Sequence, residues 1–241
     1  MSPRVLRFST ADELAEAVAQ LVLTRLLERQ SQDEVHLCLS GGRIAKRTYE
    51  ALAGRAETSA LDSSKLNIWW GDENFLPVSD PQRNAGQSFG VLARTLSFNP
   101  TKTHPMPSPD GKADPHEAAF SYARELGDTE FDLCLLGVGE DGHIAGLFPH
   151  HPSSEPTNAL VVGVTDSPKP PAERVSLTLK AINRSKAVWL IVSGEEKAQA
   201  VAAALGGDQE LPAALAKGTE ETFWFLDQDA ANLLPRYNCL L

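Results

Sequence analysis

The sequence predicts one α/β domain over residues 1–241, a mainly parallel, Rossmann-like sheet flanked by helices, and three observations predict it. Five short runs are almost wholly apolar: VHLCL (35–39), LNIWW (66–70), LCLLG (133–137), VWLIV (188–192) and FWFL (223–226). Strands covered on both faces read this way. Amphipathic helical patterns lie between them, and such alternation is the mark of a parallel sheet. The 241 residues, 42% hydrophobic, can bury one substantial core.

Thr10 and Glu13 form a T-x-x-E capping box, and Leu14, Val18, Leu21, Val22 and Leu26 then recur at helical spacing to about Gln30. After the strand at 35–39, Ser40-Gly41-Gly42 leads into a helical pattern over 44–53. The tryptophan strand is followed by a helical pattern over 84–96, with Ala85, Phe89, Leu92 and Leu96 on one face. NPTKTHPMPSPDGKADP (99–115) and TDSPKPPAER (165–174) are rich in Pro and Gly and read as surface loops. Helical patterns at 115–126 and 195–205 complete the alternation. Ligands of open α/β sheets bind beyond the carboxyl ends of the strands, which directs attention to the loops after Leu39, Trp70, Leu136 and Val192.

A formal charge of −10 disfavours nucleic acid and anionic lipid, so an anionic ligand needs a local cationic pocket. No run of about 18 apolar residues is present for a membrane span, and MSPRVLRFSTADELAEAV lacks the apolar core of a signal peptide, so the expected location is the cytoplasm. Cys38, Cys134 and Cys239 are read as free thiols, and no C-x-x-C pair offers a zinc site.

In LCLSGGRIAKRTYE, main-chain N–H groups at a helix start face a prospective anion, with Arg43, Lys46 and Arg47 nearby; a tight turn before a solvated basic face reads equally well. In IWWGDENFLP, Asp72 and Glu73 stand at the sheet's functional edge as a general-base and orienting pair, or one of them caps a turn or pairs with Arg83. FDLCLLGVGEDGHIAGLFPHH spells G-x-G-x-x-G, but Pro149 leaves room for only about two helical turns after Gly142, and Glu140 and Asp141 would repel a diphosphate. The loop therefore serves to project His143 beside Asp141, and an imidazole with an ordinary pKa of about 6.5 suits a general base. Asp141, His143, His150 and His151 lack an H-E-x-x-H spacing, so no metal is expected. Lys169, Arg174 and Lys197 place further cations beside strand or helix starts.

Taken in order, LSGGRIAKRTYE, WWGDENFLP, RNAGQS, LLGVGEDGHIAGLFP, SPKPPAERVSLTL, VSGEEKA and FWFLD resemble the 6-phosphogluconolactonases from about residue 35 to 226. The wider superfamily includes glucosamine-6-phosphate deaminases, whose D-G-H loop typically runs on toward F-N-E-P; Leu147-Phe148-Pro149 favours the lactonases. The resemblance implies cofactor-free and metal-free hydrolysis of a sugar-phosphate lactone in the pentose phosphate pathway, with His143 catalytic and Asp72 facing the sugar ring. It places the phosphate on Ser40, Gly41, Gly42, Arg174 and Lys197. Three positions depart from the family pattern. Asn74 stands where an arginine is common, which leaves its contact to Arg83; Gly146 replaces a frequent serine; and Arg43 follows the glycine pair where Ser or Thr is usual. Arg43, Asp141 and Lys169 complete the expected contacts, in a monomer or weak homodimer. A deaminase would instead use Asp72 to shuttle a proton and release ammonia. A non-catalytic sugar-phosphate sensor would need a DNA-binding module, of which the sequence shows no sign.

Overall fold

The structure, a computed structural model, describes residues 2–235. The strands are β1 (Arg4–Phe8), β2 (Val35–Leu39), β3 (Leu66–Trp70), β4 (Asp72–Asn74), β5 (Thr103–His104), β6 (Leu133–Gly137), β7 (Val161–Val164), β8 (Arg174–Leu177), β9 (Ala187–Val192) and β10 (Glu221–Asp227). The helices are α1 (Ala11–Gln30), α2 (Arg43–Ala53), α3 (Asn84–Leu92), α4 (Pro115–Leu126), α5 (Leu179–Ile182), α6 (Ala198–Leu205) and α7 (Pro212–Leu215). Seven strands form a wholly parallel sheet in the order β1-β10-β9-β6-β2-β3-β5, and β4-β8-β7 form a small antiparallel sheet.

The all-apolar strands have their explanation in the two cores they divide. Side chains alternate across a strand, so Leu133, Leu135, Trp189 and Ile191 pack with α1 and α2 on one face. Cys134, Leu136, Val188, Leu190 and Val192 pack with α4 and the small sheet on the other. α1 begins at the capping box: Glu13 N–H donates to Thr10 Oγ1 at 3.1 Å, while the Glu13 carboxylate accepts from Ser9 N–H at 3.0 Å, one residue before the cap itself. Cys38 and Cys134 are buried free thiols in facing register, whereas Cys239 lies outside the described residues.

Several expectations need correction. The pattern over 84–96 is helical only to Leu92, and its end tightens into turns in which Thr95 and Leu96 N–H donate to Leu92 O. Residues 195–197 form a 3-10 turn ahead of α6. The loop at 99–115 contains the short edge strand β5, and Arg174 opens β8 instead of closing a loop. β1, β4 and β7 were not expected, and β8 was anticipated only as a strand or helix start beside Arg174.

The order of strand addition reverses between the parallel neighbours β2 and β6: from β2 the sheet grows one way through β3 and β5, and from β6 it grows the other way through β9 and β10. A crevice opens at such a switch point. Here Gly137 N–H, at the end of β6, donates to Ser40 Oγ, just past β2, at 3.3 Å, and ties the two sides of the crevice together.

Candidate active site

A cavity of about 450 Å³ lies over the carboxyl ends of β2, β6 and β9, and Ser40, Gly41, Gly42, Arg43, Asp72, Asn84, His143, Arg174 and Lys197 all line it. One wall is the glycine loop. The Ser40 backbone is held on both sides by the buried Tyr49 hydroxyl, which accepts from Ser40 N–H at 3.0 Å and donates to Ser40 O at 2.8 Å. Gly42 has φ of 102°, a left-handed conformation that favours glycine, and α2 starts at the next residue. The first N–H groups of α2 and its positive end thus face the cavity. Opposite, buried Asp227 accepts from Ser193 Oγ at 2.5 Å and from Gly194 N–H at 3.2 Å, fixing the turn that presents Lys197. Burial, with Lys169 nearby, pulls the Lys197 ammonium below its ordinary pKa. Exposed Arg43 pairs with Glu196 across the rim.

The other wall carries the acid–base groups. No helix follows Gly142; the loop folds on itself through Gly139 N–H to His143 O at 2.8 Å and Gly142 N–H to Gly139 O at 3.1 Å. His143 Nδ1 lies 2.5 Å from Asp141 Oδ1, and the ring packs on Phe148 with centroids 4.6 Å apart. Asp141 is partly buried, which raises its pKa, but the bond from His143 together with Lys169 outweighs this and holds the carboxyl well below its usual range. An ionised carboxylate only accepts, so Nδ1 carries the proton and Nε2 is left as the basic nitrogen.

Asp72 and Arg174 reach the cavity from the small sheet, where β4 and β8 pair. Arg174 Nη1 is 3.7 Å from Asp72 Oδ2, its Nη2 donates to Lys169 O and Pro170 O, and its guanidinium lies over the Phe148 ring at 5.6 Å. Burial raises the Asp72 pKa, and Arg174 and His143 oppose that rise. Asn84 Nδ2 donates to Asp72 O at 2.9 Å and more weakly to Oδ1 at 3.3 Å. Asn84 is a cavity residue that was not among the expected site residues, although it lies in the RNAGQS segment that carries the resemblance and at a helix start.

Among the described residues, no group of three or more His, Cys, Asp or Glu side chains is placed to hold a metal ion. His151 is engaged by Ser153 and Thr165 O, and His150 is exposed beside Glu210. No helix among them is long and apolar enough to cross a membrane.

The profile of the family described as glucosamine-6-phosphate isomerases/6-phosphogluconolactonase matches residues 9–224. The chain belongs to this family. It is 42% identical to a 6-phosphogluconolactonase of Streptomyces coelicolor over 98% of this chain and 96% of that one. It is 39% identical to a 6-phosphogluconolactonase of Mycobacterium tuberculosis over 98% of this chain and all of the other. The crystal structure of a 6-phosphogluconolactonase from Thermotoga maritima superposes with a TM-score of 0.82 at 25% identity, covering 93% of this chain and 99% of that one. The mainly parallel sheet is therefore the fold of this family.

Three of the residues expected to bind substrate do not line the cavity. Arg83 is the clearest correction: it is buried, its Nη1 and Nη2 donate to Leu76 O at 2.9 Å and Met106 O at 2.6 Å, and Nη2 lies 3.5 Å from Glu73 Oε2. Turned toward main-chain carbonyls and Glu73 and absent from the cavity lining, it does not supply the contact that Asn74 lacks. Glu73 in turn accepts from Asn84 N–H at 2.7 Å and Ala85 N–H at 3.0 Å and so anchors the start of α3. Of the acidic pair, then, Asp72 faces the cavity and Glu73 builds the wall. Asp141 stands behind His143, and Lys169 pairs with Glu140 at 3.1 Å and Asp141 at 3.5 Å.

Proposed function

We propose that this chain hydrolyses 6-phospho-D-glucono-1,5-lactone to 6-phosphogluconate, the lactone-opening step of the oxidative pentose phosphate pathway. The observation that carries the proposal is the Asp141–His143 pair set at the edge of a cavity whose far wall is a glycine loop, a helix start and cations. Water attacks the lactone carbonyl while His143 Nε2 removes its proton, and Asp141 stabilises the imidazolium that forms. When the tetrahedral intermediate collapses, the imidazolium returns the proton to the departing ring oxygen, so one residue serves as base and then acid. Such transfers contribute about 10²–10⁴-fold.

The phosphate is remote from the reacting carbon, so its binding energy holds the lactone in attack geometry. Ser40, Gly41, Gly42, Arg43 and Lys197 form its seat, with Arg174 bridging toward the sugar, and Asp72 faces the ring hydroxyls. Residues 1–241 act as one domain in the cytoplasm, as a monomer or weak homodimer, with no resident cofactor. The test is the rate of acid release from 6-phosphogluconolactone above its spontaneous hydrolysis. Wild-type protein accelerates it, while a folded His143→Ala variant loses at least about 100-fold in kcat and still binds 6-phosphogluconate. Ammonia release from glucosamine 6-phosphate without lactone hydrolysis would overturn the reading.

A further inference from the structure

Lys169 lies in the loop before β8, and its main chain and side chain serve opposite ends of the site. Its carbonyl accepts from Arg174 Nη2 at 3.2 Å and from Ser167 Oγ at 2.9 Å, which fixes the backbone beside the cavity. Its ammonium turns back to Glu140 at 3.1 Å and to Asp141 Oδ1 at 3.5 Å. That same Oδ1 lies 2.5 Å from His143 Nδ1. Lys169 does not line the cavity, so it is out of place for a phosphate ligand. Its one cation completes a row of alternating charge and hydrogen bonding that ends on the imidazole.

We propose that Lys169 is a positioning residue that acts through Asp141 to set the pH at which His143 becomes a competent base. Asp141 alone favours the imidazolium, the form that cannot accept a proton from water. A cation on the far side of the same carboxylate oxygen draws on its charge and weakens that preference. The other charges near the ring stay in place when Lys169 is changed: Asp141 and Glu140 on its own loop, Asp72 on β4, and Arg174 on β8 across Phe148. Lys197, on the 3-10 turn before α6, faces Lys169. Removing the lysine charge therefore leaves Asp141 to pull a proton onto His143, and the acid limb of activity moves to higher pH.

The inference rests on His143 being the base of the proposed hydrolysis, and a substrate-free measurement separates the two. Lys169→Met and Lys169→Arg are compared with wild type by NMR titration of the His143 ring and by the pH profile of kcat/KM. In Lys169→Met the His143 midpoint rises by on the order of 0.5–1 pH unit, and the acid limb follows it. Lys169→Arg keeps both near wild type. Lys169→Gln gives the same readout should the methionine variant not fold. An unmoved NMR midpoint in the charge-removed variant overturns the inference, whatever the protein hydrolyses. A rise in KM that is equal at all pH values, with the limb unmoved, also overturns it and returns Lys169 to substrate binding. Absence of lactone hydrolysis in the wild type defeats the proposed function while leaving the NMR result to decide this one.

Discussion

Replacing Gly139 with alanine disables His143 without altering any polar group. The added Cβ would stand 2.0 Å from His143 Nδ1, 2.2 Å from Cε1 and 2.5 Å from Asp141 Oδ1. Ordinary contact begins near 3.4 Å, so the imidazole retreats by about 1.4 Å. That displacement breaks the 2.5 Å bond to Asp141, and Phe148 stacked on the ring limits where it can go. A misplacement of about 1 Å costs on the order of 10²-fold, and complete loss of proton transfer costs about 10²–10⁴-fold. We expect kcat for lactone hydrolysis to fall by at least about 100-fold. The backbone at 139 is not left-handed, so the strain is confined to the side chains the Cβ meets; overpacking of that kind costs about 1–3 kcal/mol and lowers the thermal midpoint while leaving a folded enzyme. Gly137→Ala is the control, because its Cβ would meet only Ser40 Oγ at 3.8 Å and Gly41 O at 3.9 Å, both ordinary contacts. Steady-state kinetics and calorimetry on both variants decide the matter. A folded Gly139→Ala enzyme with kcat within about threefold of wild type, a loss under about 1 kcal/mol, refutes the geometry.

Arg83→Met leaves buried Glu73 without its cation; above about pH 7, where the carboxyl is ionised, breaking such a pair costs up to about 3–5 kcal/mol, read as a lower denaturant midpoint. In the wild type, burial pushes the Glu73 carboxyl up to about 7 from its ordinary 4.5, against the pull of Arg83 and the α3 amides. The folded state therefore binds this proton more tightly, and its contribution to stability, full below about pH 4.5, is lost as pH rises through 7. The deficit of Arg83→Met consequently shrinks on acidification, and a pH-independent deficit would count against this account. Asp141 has the opposite sign: its depressed pKa stabilises the fold above the usual carboxylate range and that contribution is lost as pH falls. Thermal melts between pH 2 and 5 should slope less steeply in Asp141→Asn than in wild type, and equal slopes would exclude the effect.

The large sheet was legible because its strands are buried on both faces and so appear as unbroken apolar runs; 35–39, 66–70 and 133–137 fall on β2, β3 and β6 as observed. β1 was hidden by its position at the sheet edge, where Arg4 and Arg7 interrupt the pattern and remain exposed. β4 and β8, at three and four residues, are too short for a period to register. Within the site, His143 beside Asp141 could be read because both lie in one loop. Arg83 could not, because a buried arginine satisfied by the carbonyls of Leu76 and Met106 looks the same in sequence as one awaiting a ligand. Asn84 depends on a contact with Asp72 twelve residues away.

Gly146 shows why the two sheets must be considered together. Its N–H donates to Ser176 Oγ at 2.9 Å, and a Cβ at 146 would stand 2.8 Å from Ser176 Cβ and 3.5 Å from a Val164 methyl. Ser176 lies directly opposite Asp72 in the β4–β8 register, with Arg174 two residues before it on the same strand face. The missing side chain at 146 thus lets the loop that bears His143 sit flat against the strand that carries Arg174 and pairs with Asp72. The His143 loop springs from the parallel sheet, while Asp72 and Arg174 belong to the antiparallel one. This contact helps set their relative placement, so a side chain at 146 has to be accommodated by a shift of Ser176 or of the loop, which changes how His143 sits against Asp72 and Arg174.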